Sequence, residues 1–133
     1  MTSEILTEIV VSNLLTAKLL DKGIVEIIWH EDVLEVEPEH LIEMQNTVKE
    51  IGGGRKMPLL FDPKHVIATS KSGRAYATSE EGVQYSKAIA VVNENLAQVL
   101  MMNFFMRVST PVVPTKGFKT RESAIKWLTE NFV

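Results

Sequence analysis

Cysteine is absent from the 133 residues of the chain. Its absence excludes disulfide bonds, thiol nucleophiles and thiolate zinc sites together, and is compatible with a reducing compartment. The chain also lacks an uninterrupted apolar run of the roughly 20 residues that cross a bilayer, so we predict no membrane span. The first residues, MTSEILTEIVV, carry acid where a secretory leader needs positive charge. We therefore expect a cytoplasmic protein.

A strong charge of either sign is also lacking, because the formal net charge is -3. This balance gives no reason to expect a nucleic acid as partner. The charges are nevertheless unevenly placed: residues 1–53 hold 11 acids and 3 Lys or Arg, whereas residues 54–133 hold 6 acids and 11 Lys or Arg. Either the two halves interleave so that their charges face each other or water, or the second half builds a basic docking face.

The first half of the chain carries the turn signals of an antiparallel hairpin followed by a helix. Residues 14–20 and 24–30 predict two strands, and Gly23 supplies the positive φ that a tight connection needs. Pro38 predicts the start of a helix, and the glycines at 52–54 predict its end. We therefore expect the sheet to open with two antiparallel strands.

The rest of the chain alternates buried strands with helices, which is typical of a sheet flanked by helices. We predict strands at 57–61, 88–92 and 111–114, and helices from 70–72 to about 82, over 94–107 and after Thr120. A chain of 133 residues has the size of one domain. The prediction is therefore one α/β domain over residues 1–133, with a mixed sheet of four to five strands and about four helices.

No combination of residues along the chain matches a catalytic or metal-binding pattern. The histidines, His30, His40 and His65, stand in different elements, and none takes part in a metal-ligand spacing. The glycines at 52–54 close a helix, whereas a phosphate-binding loop opens one. No serine has the flanking glycines of a nucleophile elbow. We therefore expect a protein that is not an enzyme and that holds neither a metal nor a cofactor.

The segment FDPKHVIATSKSGRAY, residues 61–76, joins a buried strand to a helix. It lies at the carboxyl edge of a predicted central strand, where open α/β sheets present ligand or partner surfaces. One interpretation is structural, with Thr69, Ser70 or Ser72 capping the helix. The other is that the amides at the helix start and the nearby basic side chains attract an anion or a partner. The candidates for partner binding are Asp62, Lys64, His65, Ser70, Lys71 and Arg74.

The predicted helix over residues 94–107 is apolar nearly all round. Between positions 96 and 106 its only polar side chains are Gln98 and Asn103. Such a helix packs inside a core, forms a dimer interface, or lines an adaptable pocket for an apolar ligand. The candidates for the last two roles are Met101, Met102, Phe104, Phe105 and Met106.

The segment 61–76 resembles the STAS domain, specifically its SpoIIAA-like (STAS/SEC14-like) group. In the anti-sigma-factor antagonists of that family, a strand ends in aspartate and a helix then opens with Asp-Ser-Ser-Gly, whose second serine is phosphorylated. Asp62 and Gly73 stand at the same separation here, which places Ser72 at the phospho-acceptor position. Ser70 and Lys71 replace the aspartate and the first serine of the motif.

The second half of the chain is similar to uncharacterised SpoIIAA-like relatives in its KAIAVV strand and its terminal FKTRESAIKWL helix. The resemblance covers roughly residues 14–130. It implies a non-catalytic regulatory or protein-interaction module that docks a protein partner near residues 62–74 under the control of Ser72 phosphorylation. Because related lipid-carrier domains hold apolar ligands under a mobile helix, the alternative is a carrier of a small apolar or lipid ligand. Self-association into a homodimer is the third interaction to test.

Overall fold

The computed structural model describes residues 4–133 and shows a mixed six-stranded sheet within them. The strands of the chain are β1 Ile5–Val11, β2 Leu15–Leu20, β3 Val25–Trp29, β4 Glu35–Val36, β5 Met57–Asp62, β6 Ala68–Thr69, β7 Ser86–Val92 and β8 Thr115–Phe118. The helices are α1 Pro38–Ile51, α2 Lys71–Ala77, α3 Leu96–Val108 and α4 Arg121–Phe132, with a short 3₁₀ turn at Glu81–Val83.

The sheet combines an antiparallel half with a parallel half. Its strand order is β1-β2-β3-β5-β7-β8; β1, β2 and β3 pair antiparallel, and β3, β5, β7 and β8 pair parallel. The two-residue strands β4 and β6 form a separate parallel pair beside it. β6 leads directly into α2, so this small pair fixes where α2 begins.

Helices cover both faces of the sheet, but unequally. Leu60 and Ala90 share a core cluster with Leu128 of α4, which places α4 on one face. Phe61 lies in the cluster that contains Met44 of α1, so α1 packs on the opposite face. The α4 side is fastened by Arg121 and Glu26, whose side chains share two hydrogen bonds of 2.9 and 3.0 Å. These hydrogen bonds, which Arg121 donates to the Glu26 carboxylate, raise the pKa of Arg121 above its usual value.

Local signals placed both ends of α1 and the start of α4 correctly. Pro38 occupies the first turn of α1, and Gly53 and Gly54 take positive φ angles of 67° and 82° just after the helix ends. Thr120 caps α4, because its side-chain oxygen accepts a hydrogen bond from the backbone N–H of Ser123 at 3.1 Å. The predicted α/β class, the antiparallel opening pair and the four helices are confirmed within residues 4–133.

The predicted strand number was too low, because the sheet has six strands. The missed strand is β1, which is mostly exposed at the edge of the sheet and so carries little of the alternation that marks a half-buried strand. Asn13 was the available signal: it takes a positive φ of 60° in the turn between β1 and β2.

Two other boundaries differ from the predictions. The last strand is Thr115–Phe118 instead of 111–114. Pro111 and Pro114 have no N–H to donate to a neighbouring strand. The Pro114 carbonyl accepts a hydrogen bond from the Ile89 N–H. α2 ends at Ala77 instead of about Gly82, because a turn follows in which Ser79 accepts a hydrogen bond from the Gly82 N–H at 3.0 Å. None of the helices within residues 4–133 has the length and apolar character needed to cross a bilayer.

Candidate docking surface

The first turn of α2 is built around two serines with different roles. Ser70 is the N-cap, and its side-chain oxygen accepts a hydrogen bond from the Gly73 N–H at 3.0 Å. Ser72 is the exposed second residue of α2, and its hydroxyl lies 3.4 Å from that of Ser70. Of the three predicted capping residues, Ser70 is therefore the one that caps α2, and Ser72 is exposed.

Gly73 allows α2 to begin so close to the small β4–β6 pair. A Cβ atom at this position would lie 2.8 Å from the backbone carbonyl oxygen of Val36, nearer than any ordinary contact. The Ser70 N–H donates to the same carbonyl at 3.0 Å. The glycine is therefore required by the packing of α2 against β4, whether or not Ser72 is ever modified.

Arg74 connects the start of α2 to α3. Its guanidinium donates a hydrogen bond to the Thr69 carbonyl at 2.7 Å, and its carbon lies 5.1 Å from the centre of the Phe104 ring. Arg107 approaches the same ring at 5.9 Å. A guanidinium over an aromatic ring contributes about 0.5–1 kcal/mol at an exposed site. Phe104 thus stands between two cations, one from each helix.

A surface groove, the α2–α3 groove, runs between α3 and the β6–α2 connection. Its lining residues are Ile67, Ala68, Thr69, Arg74, Ala97, Leu100, Met101, Phe104 and Phe105. It brings together predicted residues that came from two separate lines of reasoning, Arg74 from the segment 61–76 and Phe104 from the apolar helix. Ile67 and Leu100, which are both exposed, were not among the predicted site residues.

α3 leaves most of its apolar surface exposed. Among residues 96–108, Gln98 and Met102 are the two buried side chains. The exposed large apolar side chains of this helix are Leu96, Leu100, Phe104, Met106 and Val108. Met106 lines a second groove on the other side of α3, next to β8. Packing of the whole helix inside the core is therefore excluded, and the dimer and ligand interpretations stay predictions.

Gln98 explains how such an exposed helix is held in place. Its side chain is 1% exposed, and its amide nitrogen donates a hydrogen bond to the Lys64 carbonyl at 2.7 Å. Its amide oxygen accepts from the Glu94 N–H at 2.9 Å. Because Gln98 is in the first turn of α3, these bonds fix that end of the helix to the β5–β6 turn.

Five of the six predicted partner-binding residues do not line the α2–α3 groove, and Arg74 is the one that does. Strand alternation places Asp62 on the same face as Leu60, which is the α4 side of the sheet. The Lys64 ammonium lies 3.9 Å from the Asp62 carboxylate. His65 is exposed in the turn that follows β5. Lys71 is exposed at the first position of α2, beside the groove, and its role stays a prediction.

Acidic groups lie next to the start of α2 as well as basic ones. The pKa of the Glu37 carboxyl is raised, first because it shares a side-chain hydrogen bond with Glu35, and then by burial and the charge of Glu35. A hydrogen bond with Ser70 acts in the opposite direction. The surface around the α2 start is therefore of mixed charge, and the concentration of cations lies further along, at Phe104.

A cavity of about 140 Å³ lies beneath α3, between that helix, α1 and the sheet. Its floor includes Trp29 and Phe61, whose rings stack with centroids 6.2 Å apart. Side chains from α1, α3 and the 111–113 loop line its other walls, among them Met44, Met101, Met102, Phe105 and Val112. Met101 and Phe105 line both this cavity and the α2–α3 groove, so they form the partition between the two.

Residues 18–131 match the profile of a family described as a domain of unknown function, DUF7793. The chain belongs to this family. Among solved structures, an uncharacterised protein of the DUF3478 family from Shewanella loihica PV-4, described as having a SpoIIAA-like fold, is similar with a TM-score of 0.53. The two chains are 14% identical, and the match covers 96% of each. Among curated proteins, no sequence matches this chain.

The structural match confirms the fold that the STAS resemblance implied. The chain of this DUF7793 member has the SpoIIAA-like fold, in which the strand that ends at Asp62 is followed by the helix that carries Ser72. At 14% identity the likeness shows the fold alone. The function must therefore be argued from the surface of this chain.

Proposed function

We propose that the chain is a non-catalytic protein-interaction module that docks a protein partner on the α2–α3 groove. The observation that carries the proposal is the exposed apolar surface of α3, formed by Leu96, Leu100 and Phe104 and continued across the groove by Ile67. Contiguous exposed apolar surface rimmed by polar groups is typical of interaction sites. Full burial of a Leu, Ile or Phe side chain contributes about 1.5–3 kcal/mol.

We expect Phe104 and the two arginines beside it to contribute most of the binding energy at the groove. Arginine and aromatic residues are the side chains that most often dominate binding energy at protein interfaces, because they bury large areas and keep a polar group for pairing. Arg74 and Arg107 both lie over the Phe104 ring. A partner that covers this ring would therefore also desolvate the two guanidinium groups, which favours a partner with carboxylates.

Ser72 is the proposed control point of this module. A phosphoryl group would add a charge of about -1.5 to -2 and three strong acceptor oxygens at an exposed position two residues before Arg74. This charge would repel a carboxylate-bearing partner that approaches Arg74 on the same short helix. Phosphorylation at Ser72 is therefore proposed to weaken docking on the groove.

A photo-reactive residue in the groove tests the proposal. We expect a Leu100→benzoylphenylalanine variant to form a covalent adduct with its partner when irradiated in its own cells. The matched control is Ile42→benzoylphenylalanine on α1, since Ile42 is another exposed apolar helix residue outside the groove. Adding Ser72→Asp should reduce the adduct severalfold, and adding Ser72→Ala should leave it unchanged. Equal labelling at positions 42 and 100, or none at either, would contradict the proposal.

A second candidate function, binding of a small apolar ligand, is favoured by the cavity beneath α3. Its volume of about 140 Å³ is close to that of an engineered apolar cavity that binds benzene. A larger ligand would have to displace α3, which buries only two of residues 96–108. The entry route would pass Met101 and Phe105, both of which also face the groove.

Filling the cavity separates this candidate from the first. Ala77 lines the cavity, whereas Ala75 is exposed on the same short helix. We expect benzene to shift the NMR signals of cavity-lining methyl groups in the wild type and in Ala75→Leu, and to have no effect in Ala77→Leu. If benzene shifts no cavity methyl in the wild type, the ligand-binding candidate fails, and the docking proposal is unaffected.

A further inference from the structure

The exposed apolar residues of α3 form one continuous ridge. Leu96, Leu100, Phe104 and Val108 stand four residues apart along the whole helix, and all four are exposed. Ridges with this spacing are the surfaces by which helices pack on other helices, at interaxial distances of about 8–10 Å. The ridge therefore has the form of one half of a helix–helix contact.

Opposite charges stand at the two ends of the ridge. Glu94 is exposed two residues before α3 begins. Arg107 is in the last turn, and its guanidinium, together with that of Arg74, lies over the Phe104 ring. The N-terminal end of the ridge thus carries a carboxylate, and its C-terminal end carries two cations.

The ridge is complementary to the same ridge of a second copy that runs in the opposite direction. In an antiparallel pair of α3 helices related by a two-fold axis near Leu100, each Phe104 meets Leu96 of the other copy. Glu94 of each copy then faces Arg107 and Arg74 of the other. A parallel pair would instead bring cations against cations, which is unfavourable. A two-fold contact uses the same patch twice and closes after two copies.

We infer that the partner on the α2–α3 groove is a second copy of this chain, bound through antiparallel packing of α3 against α3. The inference rests on the proposed function, because it names the partner of the same surface. It also gives Ser72 a definite role, since the charge of a phosphoryl group at the start of α2 would repel Glu94 of a second copy that approaches Arg74. A homodimer through α3 is therefore weakened by phosphorylation at Ser72.

Sedimentation of the purified full chain tests the dimer. We expect the wild type to sediment at twice the monomer mass, and Leu100→Asp to sediment as a folded monomer, because position 100 is exposed and its change leaves the core intact. Arg107→Glu and Glu94→Lys should each weaken self-association by about tenfold, since each reverses two surface ion pairs per dimer. Lys126→Glu on α4, on the opposite face, is the matched charge-reversal control and should have no effect.

Mixing the two charge-reversal variants gives the decisive measurement. In a mixed dimer of Arg107→Glu with Glu94→Lys, both ion pairs are attractive again, so the mixture should associate more tightly than either variant alone. A wild type that stays monomeric would overturn the inference, as would a dimer that survives Leu100→Asp or a mixture no tighter than its components.

Cross-linking distinguishes failure of this inference from failure of the proposed function. A Leu100→benzoylphenylalanine adduct with twice the chain mass supports the second copy. An adduct of another mass, formed while the purified chain is monomeric, overturns the second copy but keeps the docking module. Absence of any adduct removes both.

Discussion

Two helices of nearly equal length lie on the same face of this sheet and are used in different ways. α1 has 14 residues and buries six of them, whereas α3 has 13 residues and buries two. α3 is nevertheless the more apolar of the two sequences. Apolar content therefore does not predict burial here, because a sheet can cover only one side of a helix. The surplus on α3 faces solvent, and that surplus is the candidate docking surface.

Each helix is held in place by one buried glutamine, but at a different point along the helix. The Gln45 amide donates to the Ser86 hydroxyl and accepts from the Tyr85 N–H, each at 3.0 Å, from the middle of α1. Gln98 makes its two bonds from the first turn of α3. The later turns of α3 have Met102 as their buried contact within residues 99–108. We therefore expect α3 to open locally more readily than α1.

The largest expected effect compares the same substitution on the two helices. Leu41 of α1 is 8% exposed and Leu100 of α3 is 58% exposed. Leu41→Ala should lower the free energy of unfolding by about 2–4 kcal/mol, because it removes buried methyl groups and leaves a cavity. Leu100→Ala should change it by less than about 0.5 kcal/mol, as surface substitutions usually do.

Urea unfolding of the two variants, at a concentration where the wild type and Leu100→Ala have the same association state, gives this comparison directly. If Leu100→Ala lowered the free energy of unfolding as much as Leu41→Ala, α3 would be as deeply packed as α1. The description of its apolar ridge as exposed would then be wrong.

The next effect concerns the two glutamines. Gln45→Leu and Gln98→Leu each remove two side-chain hydrogen bonds, at about 0.5–1.5 kcal/mol per bond. For Gln45→Leu the loss should appear in global unfolding, because the bonds join α1 to the central strand β7. For Gln98→Leu it should appear mainly as faster amide hydrogen exchange in residues 94–108. Exchange that rises equally across the whole chain in both variants would contradict the local opening of α3.

The smallest expected effect lies where the start of α1 meets the start of α2. Glu35→Gln should lower the pKa of Glu37 towards its usual value, because the hydrogen bond with Glu35 is the first cause of the increase. The raised pKa means that the folded chain holds this proton more tightly than the unfolded chain. The stabilisation is present below the unfolded pKa and is lost as the pH rises through the folded one. Carboxyl-carbon NMR titration of Glu37 measures the change, and an unchanged pKa would exclude the contact with Glu35.

Sequence reasoning succeeded where one local interaction decides the structure. Gly53, Pro38 and Thr120 each set a helix end by backbone geometry or a single hydrogen bond with a near neighbour. It failed for β1, an edge strand whose pairing with β2 is its main contact. The prediction also extended α2 into the turn that follows it, because the hydrogen bond from the Gly82 N–H to the Ser79 side chain has no distinctive sequence pattern.

The candidate site was predicted in its parts and not as a whole. Arg74 and Phe104 were both identified from the sequence, but they are 30 positions apart, and no local pattern shows that they stack. Asp62 was assigned to the same surface as Arg74, yet strand alternation turns it to the α4 side. The ridge of Leu96 and Leu100 had a visible four-residue spacing, which by itself is equally typical of a buried helix.

The sequence by itself determined the elements of this chain, because caps, glycine turns and apolar spacing act between residues close together in the chain. Only the tertiary structure decided which side of α3 the sheet covers. The covered side depends on the strand order and on the hydrogen bond from Gln98 to the Lys64 carbonyl. Both join segments that are far apart in sequence. The same long-range pairings place Phe104 under Arg74 and leave the apolar ridge facing outward.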